Sequence, residues 1–537
     1  MHTLTLPLET NEQDDAILYK RFGLIAKLHN HLVKAMLPRL KRLKKNKWYK
    51  KKLGEYTTAK KRVEFLEKQI EEQGLELPEI ILRAYNKELS ELKPVVKNTS
   101  DELKEYRERI GVTKSFLEQY VKKFQHQYSH HISSHIAQKE ANNVWAAVEE
   151  VLFGDGEIIH FKKTASFRTI ASKSAKNGIC FYDKKAGVSY APKSTELKHE
   201  RGVIFLGLDL AVSRPLNAYE IASLQNKVKT CAVMRKMFSS GWKYYLILTL
   251  EGFAPKKFVM GRNTAGIDPG VSSFAYASDE HVVFEELSPR CKTYNKEIAA
   301  LQRTIDRSMR EMNPDNYNSD GTVKKGKHKW VISNRCKRLK RKLTTLYRKK
   351  SEYTKHEHNH RANLVIQDSS VCITEAMNFK ALAKKAKSGG KQDKVTEIKC
   401  KDGTVKTVRK NKKRKRFGKS LNDRSPSLQQ TIIKNKLAQY GGLYYEVDTK
   451  SFKASQYDHI KDECIKVTLS TRFKDVGGHQ VQRDLYSAFL LKNAAMDMKH
   501  TNRADCIASF DGFLMMHDKC IADLKNTGFH MPACVGF

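Results

Sequence analysis

The chain has 537 residues and carries 100 Lys and Arg against 59 Asp and Glu, a formal net charge of +41. Such an excess argues against an enzyme of small metabolites, because self-repulsion opposes the compact state, and it favours nucleic acid, whose binding releases counterions. No apolar run approaches the roughly 20 residues that cross a bilayer, and no secretory signal pattern is present, so we expect a prokaryotic cytoplasmic protein without a membrane partner.

The first 152 residues predict a short strand followed by helices. Leucines at positions 4, 6 and 8 alternate with polar residues, as in a half-buried strand. Apolar residues then recur at three- and four-residue steps and form one stripe of a helix before Pro38: Phe22, Ile25, Leu28, Leu32 and Met36. We expect residues 1–45 to form the strand and first helix, and residues 46–152 to form a helical domain.

Residues 153–262 have a different sequence pattern. Short apolar or alternating runs are separated by Gly, Ser, Asn and Lys, which is typical of a β-rich domain with a barrel-like sheet. The N-terminal strand is expected to complete this sheet, with the helical domain inserted between.

From residue 263 onwards, strand and helix signals alternate, which predicts an α/β domain. Its expected parts are residues 263–454 and 483–537, with a long basic helix from about 292 to 365. A basic loop at 384–425 is expected to become ordered on nucleic acid. The residues of this loop expected to bind nucleic acid are Lys410, Lys412, Lys413, Arg414, Lys415 and Arg416. The alternative is a solvated loop with no ligand.

Three acids in this half lie at the ends of apolar segments. Asp268 ends a short apolar run and precedes a Pro-Gly turn, Glu375 directly follows an apolar strand, and Asp484 begins an apolar helix. Each has an ordinary explanation: a turn former, a surface residue at a strand end, and an acid favoured by the helix dipole. The spacing between them leaves room for several elements that could bring all three together.

Three converging carboxylates repel one another unless hard divalent cations bind them. Two Mg²⁺ ions held in this way, or Mn²⁺ in their place, activate water and stabilise the leaving oxygen in phosphodiester hydrolysis. This chemistry agrees with the positive charge of the chain. We therefore predict that Asp268, Glu375 and Asp484 are catalytic metal ligands.

The order of these motifs resembles a known family. Asp268 in IDPG, Glu375 in ITEAMNFK and Asp484 in QRDLYSA are similar to the three RuvC motifs of the transposon-encoded TnpB nucleases and their descendants, the type V CRISPR effectors. The resemblance is clearest from about 264 to 493. It implies a multidomain α+β protein with a helical recognition module, a β-barrel-like wedge domain and an RNase H-like (RuvC) α/β nuclease domain. It also implies a guide RNA, recognition of a short flanking motif, and cutting of double-stranded or single-stranded target DNA.

The chain also departs from that family. The family usually carries two CxxC pairs that bind zinc between the Glu and the last Asp, and none is present here. Asp458 and Lys461 stand about where the first pair would be, so we expect residues 455–482 to be a zinc-free insertion. Tyr486 replaces the Asn that commonly follows the final Asp by two positions.

Two other functions fit the sequence. One is an RNA-guided DNA-binding regulator that does not cut, and the other is an unguided RNase H-like transposase or resolvase. Intact acids favour the nuclease, and bound RNA would separate it from the unguided enzyme. We expect a monomer. The sequence does not indicate the type of guide, which could be a single transposon-end RNA or a CRISPR RNA.

Overall fold

A computed structural model describes residues 1–73, 78–154, 156–383, 391–399, 405–411, 417–466, 468 and 471–526. The chain divides into two compact units. Unit 1 comprises residues 1–236 and 242–255, and unit 2 comprises residues 237–241 and 256–537. Among the described residues, no helix is long and apolar enough to cross a membrane.

Unit 1 is mainly helical up to residue 152. Its helices are α1 (Glu12–Lys45), α2 (Lys47–Gln73), α3 (Glu79–Arg109), α4 (Lys114–Gln127), α5 (Ser134–Leu152) and α6 (Ala218–Ser223). Helix α1 begins with a capping box, in which the Asn11 side chain accepts a hydrogen bond from Asp14 N and the Asp14 carboxylate accepts one from Asn11 N. The predicted stripe is confirmed, because all five of its side chains are buried. Helix α1 continues through Pro38 to Lys45, further than the sequence pattern indicated.

The strands of unit 1 are β1 (His2–Pro7), β2 (Thr169–Ala171), β3 (Ile179–Asp183), β4 (Val188–Ser189), β5 (Arg201–Phe205), β6 (Leu208–Ala211), β7 (Val228–Phe238) and β8 (Gly241–Leu250). They form two four-stranded sheets in the orders β1-β8-β7-β2 and β4-β3-β5-β6. Strand β1 pairs antiparallel with β8, so the N-terminal strand does join the β-rich segment. The expected barrel-like sheet is wrong, since the strands described here divide between two open sheets.

The strands of unit 2 are β9 (Asn263–Pro269), β10 (Ser273–Ala277), β11 (Val282–Glu286), β12 (Ser369–Glu375), β13 (Lys391–Lys399), β14 (Val405–Asn411), β15 (Leu443–Val447), β16 (Tyr457–Asp458), β17 (Glu463–Cys464), β18 (Phe473–Val476) and β19 (His479–Gln482). Its helices are α7 (Cys291–Met312), α8 (Asn334–Asp368), α9 (Phe379–Ala383), α10 (Gly418–Arg424), α11 (Pro426–Tyr440), α12 (Thr449–Phe452), α13 (Arg483–Lys492) and α14 (Arg503–Asn526).

The centre of unit 2 is a five-stranded mixed sheet in the order β11-β10-β9-β12-β15. Strands β9, β12 and β15 run parallel, and β10 and β11 are antiparallel additions. On one face, Ala265, Ile267 and Cys372 pack against apolar residues of α8 and α11. On the other face, Ala275 packs against α13. The sheet is therefore the middle layer of three, as expected for an α/β domain.

Two expectations for unit 2 need correction. The basic segment from 292 to 365 is not one helix, because α7 ends at Met312, α8 begins at Asn334, and a loop joins them. Pro314, Gly321 and Gly326 break the helical pattern there. The expected basic loop at 384–425 contains the antiparallel strands β13 and β14 and helix α10.

Candidate active site

Asp268 and Glu375 lie side by side on neighbouring strands. Ile267 of β9 is paired in parallel register with Thr374 of β12, so the residues that follow each of them are at the same level. Side chains at one level of a parallel pair point to the same face of the sheet. The two carboxylates therefore project together, towards α13. Pro269, which lacks an N–H, ends β9 directly after this point.

Helix α13 brings Asp484 to the same place because Gly266 lets it approach. Gly266 and Asp268 share one face of β9, and Asp484 and Ala488 share one face of α13 at a four-residue step. A Cβ atom placed on Gly266 would lie 1.9 Å from the Ala488 carbonyl oxygen and 2.5 Å from the Lys492 amide nitrogen. No side chain fits between the two backbones. The first turn of the helix therefore lies over the Asp268 end of the strand.

The N-terminus of α13 is fixed from two sides. The buried Gln482 side chain accepts a hydrogen bond from Leu485 N at 2.8 Å and thus caps the helix. Gln482 N in turn donates to His517 Nε2 of α14 at 3.0 Å, while His517 Nδ1 contacts Asp518. These contacts hold the helical turn that carries Asp484.

The electrostatics of Asp268 show that it interacts with both of the other acids. Burial raises the pKa of Asp268 well above its usual range, and the neighbouring carboxylates of Asp484 and Glu375 raise it further. The Arg483 guanidinium, 3.1 Å from Asp484 Oδ1, acts in the opposite direction on the Asp268 pKa. Burial raises the pKa of Glu375 to about 7. The sheet and α13 thus concentrate negative charge where water is partly excluded.

Glu375 also lines a groove with a volume of about 970 Å³. Its walls come from the segment after β12, from α9 to α11, and from Glu446 of β15. Amide and hydroxyl groups dominate among its polar side chains, including Asn378, Asn422 and Gln430. Such donors suit phosphate and sugar oxygens. An elongated polar ligand in this groove could therefore reach Glu375.

A buried polar network fixes the α10–α11 wall of this groove. Asp423 accepts from Asn295 at 2.7 Å and pairs with Lys350 at 2.5 Å. The side chain of the next residue, Arg424, pairs with Glu286 of β11. His358 Nε2 donates to the Arg424 carbonyl at 2.7 Å. Helices α7 and α8 therefore anchor the wall through groups that the apolar pattern of the sequence does not reveal.

The insertion at 455–482 consists of the hairpins β16–β17 and β18–β19. Tyr486 of α13 fastens it, because its hydroxyl accepts from His459 N at 3.1 Å and lies 2.7 Å from His459 Nδ1. His459 also packs edge-on against Phe510. Asp458 Oδ1 accepts hydrogen bonds from the turn amides of Ile460 and Lys461, at 3.0 and 3.2 Å. Hydrogen bonds and aromatic packing therefore hold this insertion.

The predicted nucleic-acid-binding residues cannot be placed in a site. Lys410 lies in strand β14, and its side chain is not described. Residues 412–416 lie outside the described residues.

Sequence reasoning missed Gly266, Gln482 and His517. A glycine within an apolar strand often marks a close approach of another backbone, so Gly266 carried a usable signal. Gln482 directly precedes the helix of Asp484, at a position where caps occur. His517 carried no local signal, because its partner is 35 residues away in sequence.

In the described part of the chain, another group of metal-ligating side chains has all its ligand atoms within 4.8 Å: Glu280, His281 and Asp368. Among the described residues, the carboxylates of Asp268, Glu375 and Asp484, called the triad below, do not form so tight a group. Glu280 and His281 are exposed, and Asp368 accepts hydrogen bonds from Tyr276 and Asn263. Asp368 precedes β12 whereas Glu375 ends it, so the two groups lie at opposite ends of one strand.

Comparison with known proteins gives little further information. No known family and no curated protein matches the sequence. Among solved structures, the chain is similar to a CRISPR-Cas12f ternary complex determined by cryo-electron microscopy, with 13% identity over 92% of this chain and 99% of that chain and a TM-score of 0.25. A TM-score this low does not establish a shared fold.

Proposed function

We propose that this chain is an RNA-guided DNA endonuclease that hydrolyses phosphodiester bonds with divalent metal ions held by Asp268, Glu375 and Asp484. The observation that carries the proposal is the convergence of these acids. They come from three separate segments and meet at the end of a central sheet, beside a polar groove, in a chain with a net charge of +41. This combination suits a polyanionic substrate attacked at phosphorus.

The residues present fit Mg²⁺, and Mn²⁺ as a substitute. All three ligands are hard carboxylate oxygens, which these ions prefer. The raised pKa values of Asp268 and Glu375 show that the site is costly to charge without a cation. Two bound ions would supply an activated water and stabilise the leaving oxygen. Because the ligands bind in their ionised form, metal binding and protonation compete at this site.

The remaining residues position the substrate and the ligands. Arg483 donates to Asp484 Oδ1 and to the Thr471 carbonyl, which fixes its guanidinium between the insertion and the triad. Amide groups in the groove offer hydrogen bonds to the backbone of a strand whose scissile phosphate reaches Glu375. Gln482 and Gly266 keep Asp484 in register with the sheet.

Guidance by RNA is proposed from the order of the three acid motifs and from the charge of the chain. In this proposal residues 46–152 form the recognition domain and residues 153–262 the wedge domain. Residues 263–454 and 483–537 form the RuvC nuclease domain, and residues 455–482 contact the target. Guide RNA and target DNA are the proposed partners.

The test begins with purification of the protein together with transcripts from its own locus. Bound RNA is sequenced, and plasmids that match it are incubated with the complex in Mg²⁺ and in EDTA. We expect cleavage only with Mg²⁺ and only of matching plasmids. Absence of bound RNA would overturn guidance. RNA-directed binding without cleavage would favour the regulator, and cleavage without RNA would favour a transposase or resolvase.

Substitutions test whether cleavage depends on the triad and not on other acids. Asp268→Asn, Glu375→Gln and Asp484→Asn keep the shape of each side chain and remove the charge that binds metal, so each should abolish cleavage while target binding persists. Glu280→Gln is the matched control, because it alters the other metal-ligating cluster at the far end of β12. Full cleavage by any triad variant, or loss of cleavage in the control alone, would contradict the assignment.

A further inference from the structure

The loop that joins α7 to α8, residues 313–333, is long for a connection and is well organised, with a short 3₁₀ turn at Pro314–Asn316. The buried Asn313 side chain donates to the Val331 carbonyl at 2.9 Å and accepts from Val331 N at 2.7 Å. Asn316 Nδ2 donates to the Lys329 carbonyl at 2.9 Å, and Tyr317 and Val323 form an antiparallel bridge. Long loops in compact domains are commonly functional. The 313–333 loop therefore has a defined surface.

That surface presents aromatic rings beside a groove. Trp330 is 37% exposed, and its ring meets that of Tyr317 edge-on at 5.8 Å. Both rings line a groove of about 600 Å³, whose apolar floor comes from α7, α8 and Ile332. Met309 and Leu343 belong to this floor. An exposed indole at the mouth of an apolar groove offers a flat face to a planar ligand.

The charge around the groove is strongly positive. Four exposed lysines lie on the loop, at positions 324, 325, 327 and 329, against two exposed acids, Asp315 and Asp320. The adjoining first half of α8, residues 334–350, contains nine Lys and Arg and no acid. Asp306, the one acid lining the groove, is paired with Arg310 at 2.9 Å. The positive charge around the groove therefore attracts anionic ligands from several sides.

We infer that the 313–333 loop binds unpaired nucleotides, with a nucleobase stacked on Trp330 and the neighbouring phosphates paired with the loop lysines. Aromatic rings within a basic groove are the usual means of holding single strands without sequence preference. A duplex keeps its bases stacked on one another, so it could use the lysines but not the ring. The site is distinct from the triad, and it does not depend on hydrolysis there.

The experiment measures binding of the full chain to labelled oligonucleotides of about 12 nucleotides, within the usual range of single-strand sites, in EDTA so that nothing is cut. Base-bearing DNA and RNA strands are compared with an abasic strand of the same length and with a duplex. Trp330→Leu keeps apolar volume and removes the ring, whereas Trp330→Phe keeps a ring. Tyr347→Leu is the control, because Tyr347 is 48% exposed on α8 but does not line the groove.

We expect Trp330→Leu to weaken binding of base-bearing strands by about 5- to 160-fold, the range for loss of one stacked base. Trp330→Phe should retain most of the affinity, and the abasic strand and the duplex should bind all variants alike. Comparison of the DNA and RNA arms identifies which strand the site prefers. The proposal would be overturned by an equal loss for the abasic strand, by an unchanged affinity, or by an equal loss with Tyr347→Leu.

Discussion

Replacement of Gly266 by alanine tests how the triad is assembled. The new Cβ would lie 1.9 Å from the Ala488 carbonyl oxygen, whereas ordinary contacts begin at 3.4 Å. Helix α13 would therefore have to withdraw by roughly 1.5 Å, the difference between these distances. Because the obstacle is backbone, no side-chain rotation relieves it.

The shift should affect both stability and activity. Overpacking of this kind costs about 1–3 kcal/mol of unfolding free energy. A displacement of about 1 Å among catalytic groups can cost on the order of 100-fold in rate. We therefore expect Gly266→Ala to lower the melting temperature and to reduce Mg²⁺-dependent cleavage by more than its loss of folded protein explains.

Thermal unfolding and single-turnover cleavage measure the two effects separately. Gly512→Ala in α14 is the control, because a Cβ there meets nothing within 4 Å. Alanine should stabilise that helix by about 0.4–1 kcal/mol. If Gly266→Ala unfolds and cleaves like the parent protein, α13 does not depend on Gly266 for its close packing against β9.

Two further predictions concern buried groups that hold this half of the chain together. Burial lowers the pKa of His358 to about 4, so between the ordinary value of 6.5 and 4 only the unfolded chain binds the proton. Stability should therefore fall as pH decreases through this window, by up to roughly 3 kcal/mol, and His358→Gln should show a weaker pH dependence in thermal unfolding; equal slopes would refute this. Tyr486→Phe removes the hydroxyl that His459 contacts, and we expect a loss of about 1–3 kcal/mol in denaturant unfolding. Tyr445→Phe, at an exposed position of β15, should cost little, and comparable losses in both would contradict the role of the Tyr486 hydroxyl.

The sequence alone was sufficient to predict the helices and strands whose hydrophobic pattern is local. The stripe of α1, the strand that ends at Glu375 and the apolar helix that begins at Asp484 each follow from periodicity and end signals. The break between Met312 and Asn334 was missed, because basic residues on both sides continue the same composition. The two open sheets of unit 1 were also missed, since strand signals do not specify which edges pair.

For the candidate site, the sequence indicated the three acids but not the residues that hold them in place. An acid at the end of an apolar run is unusual in itself, whereas Gln482, His517 and the network around Asp423 are ordinary polar residues until folding brings them together. Contacts between residues far apart in sequence have no local pattern to read. The same limit applies to the raised pKa of Asp268, which depends on burial and on two carboxylates that are distant in sequence.

Helix α8 also sets a length scale. From His358, which contacts the wall of the groove, to Asn334 at the start of the helix, the rise is roughly 36 Å at about 1.5 Å per residue. One turn of a nucleic-acid double helix is about as long. A substrate held at both the groove and the 313–333 loop would therefore have to span about one such turn. Fragments shorter than about one turn could occupy either place but could not bridge the two.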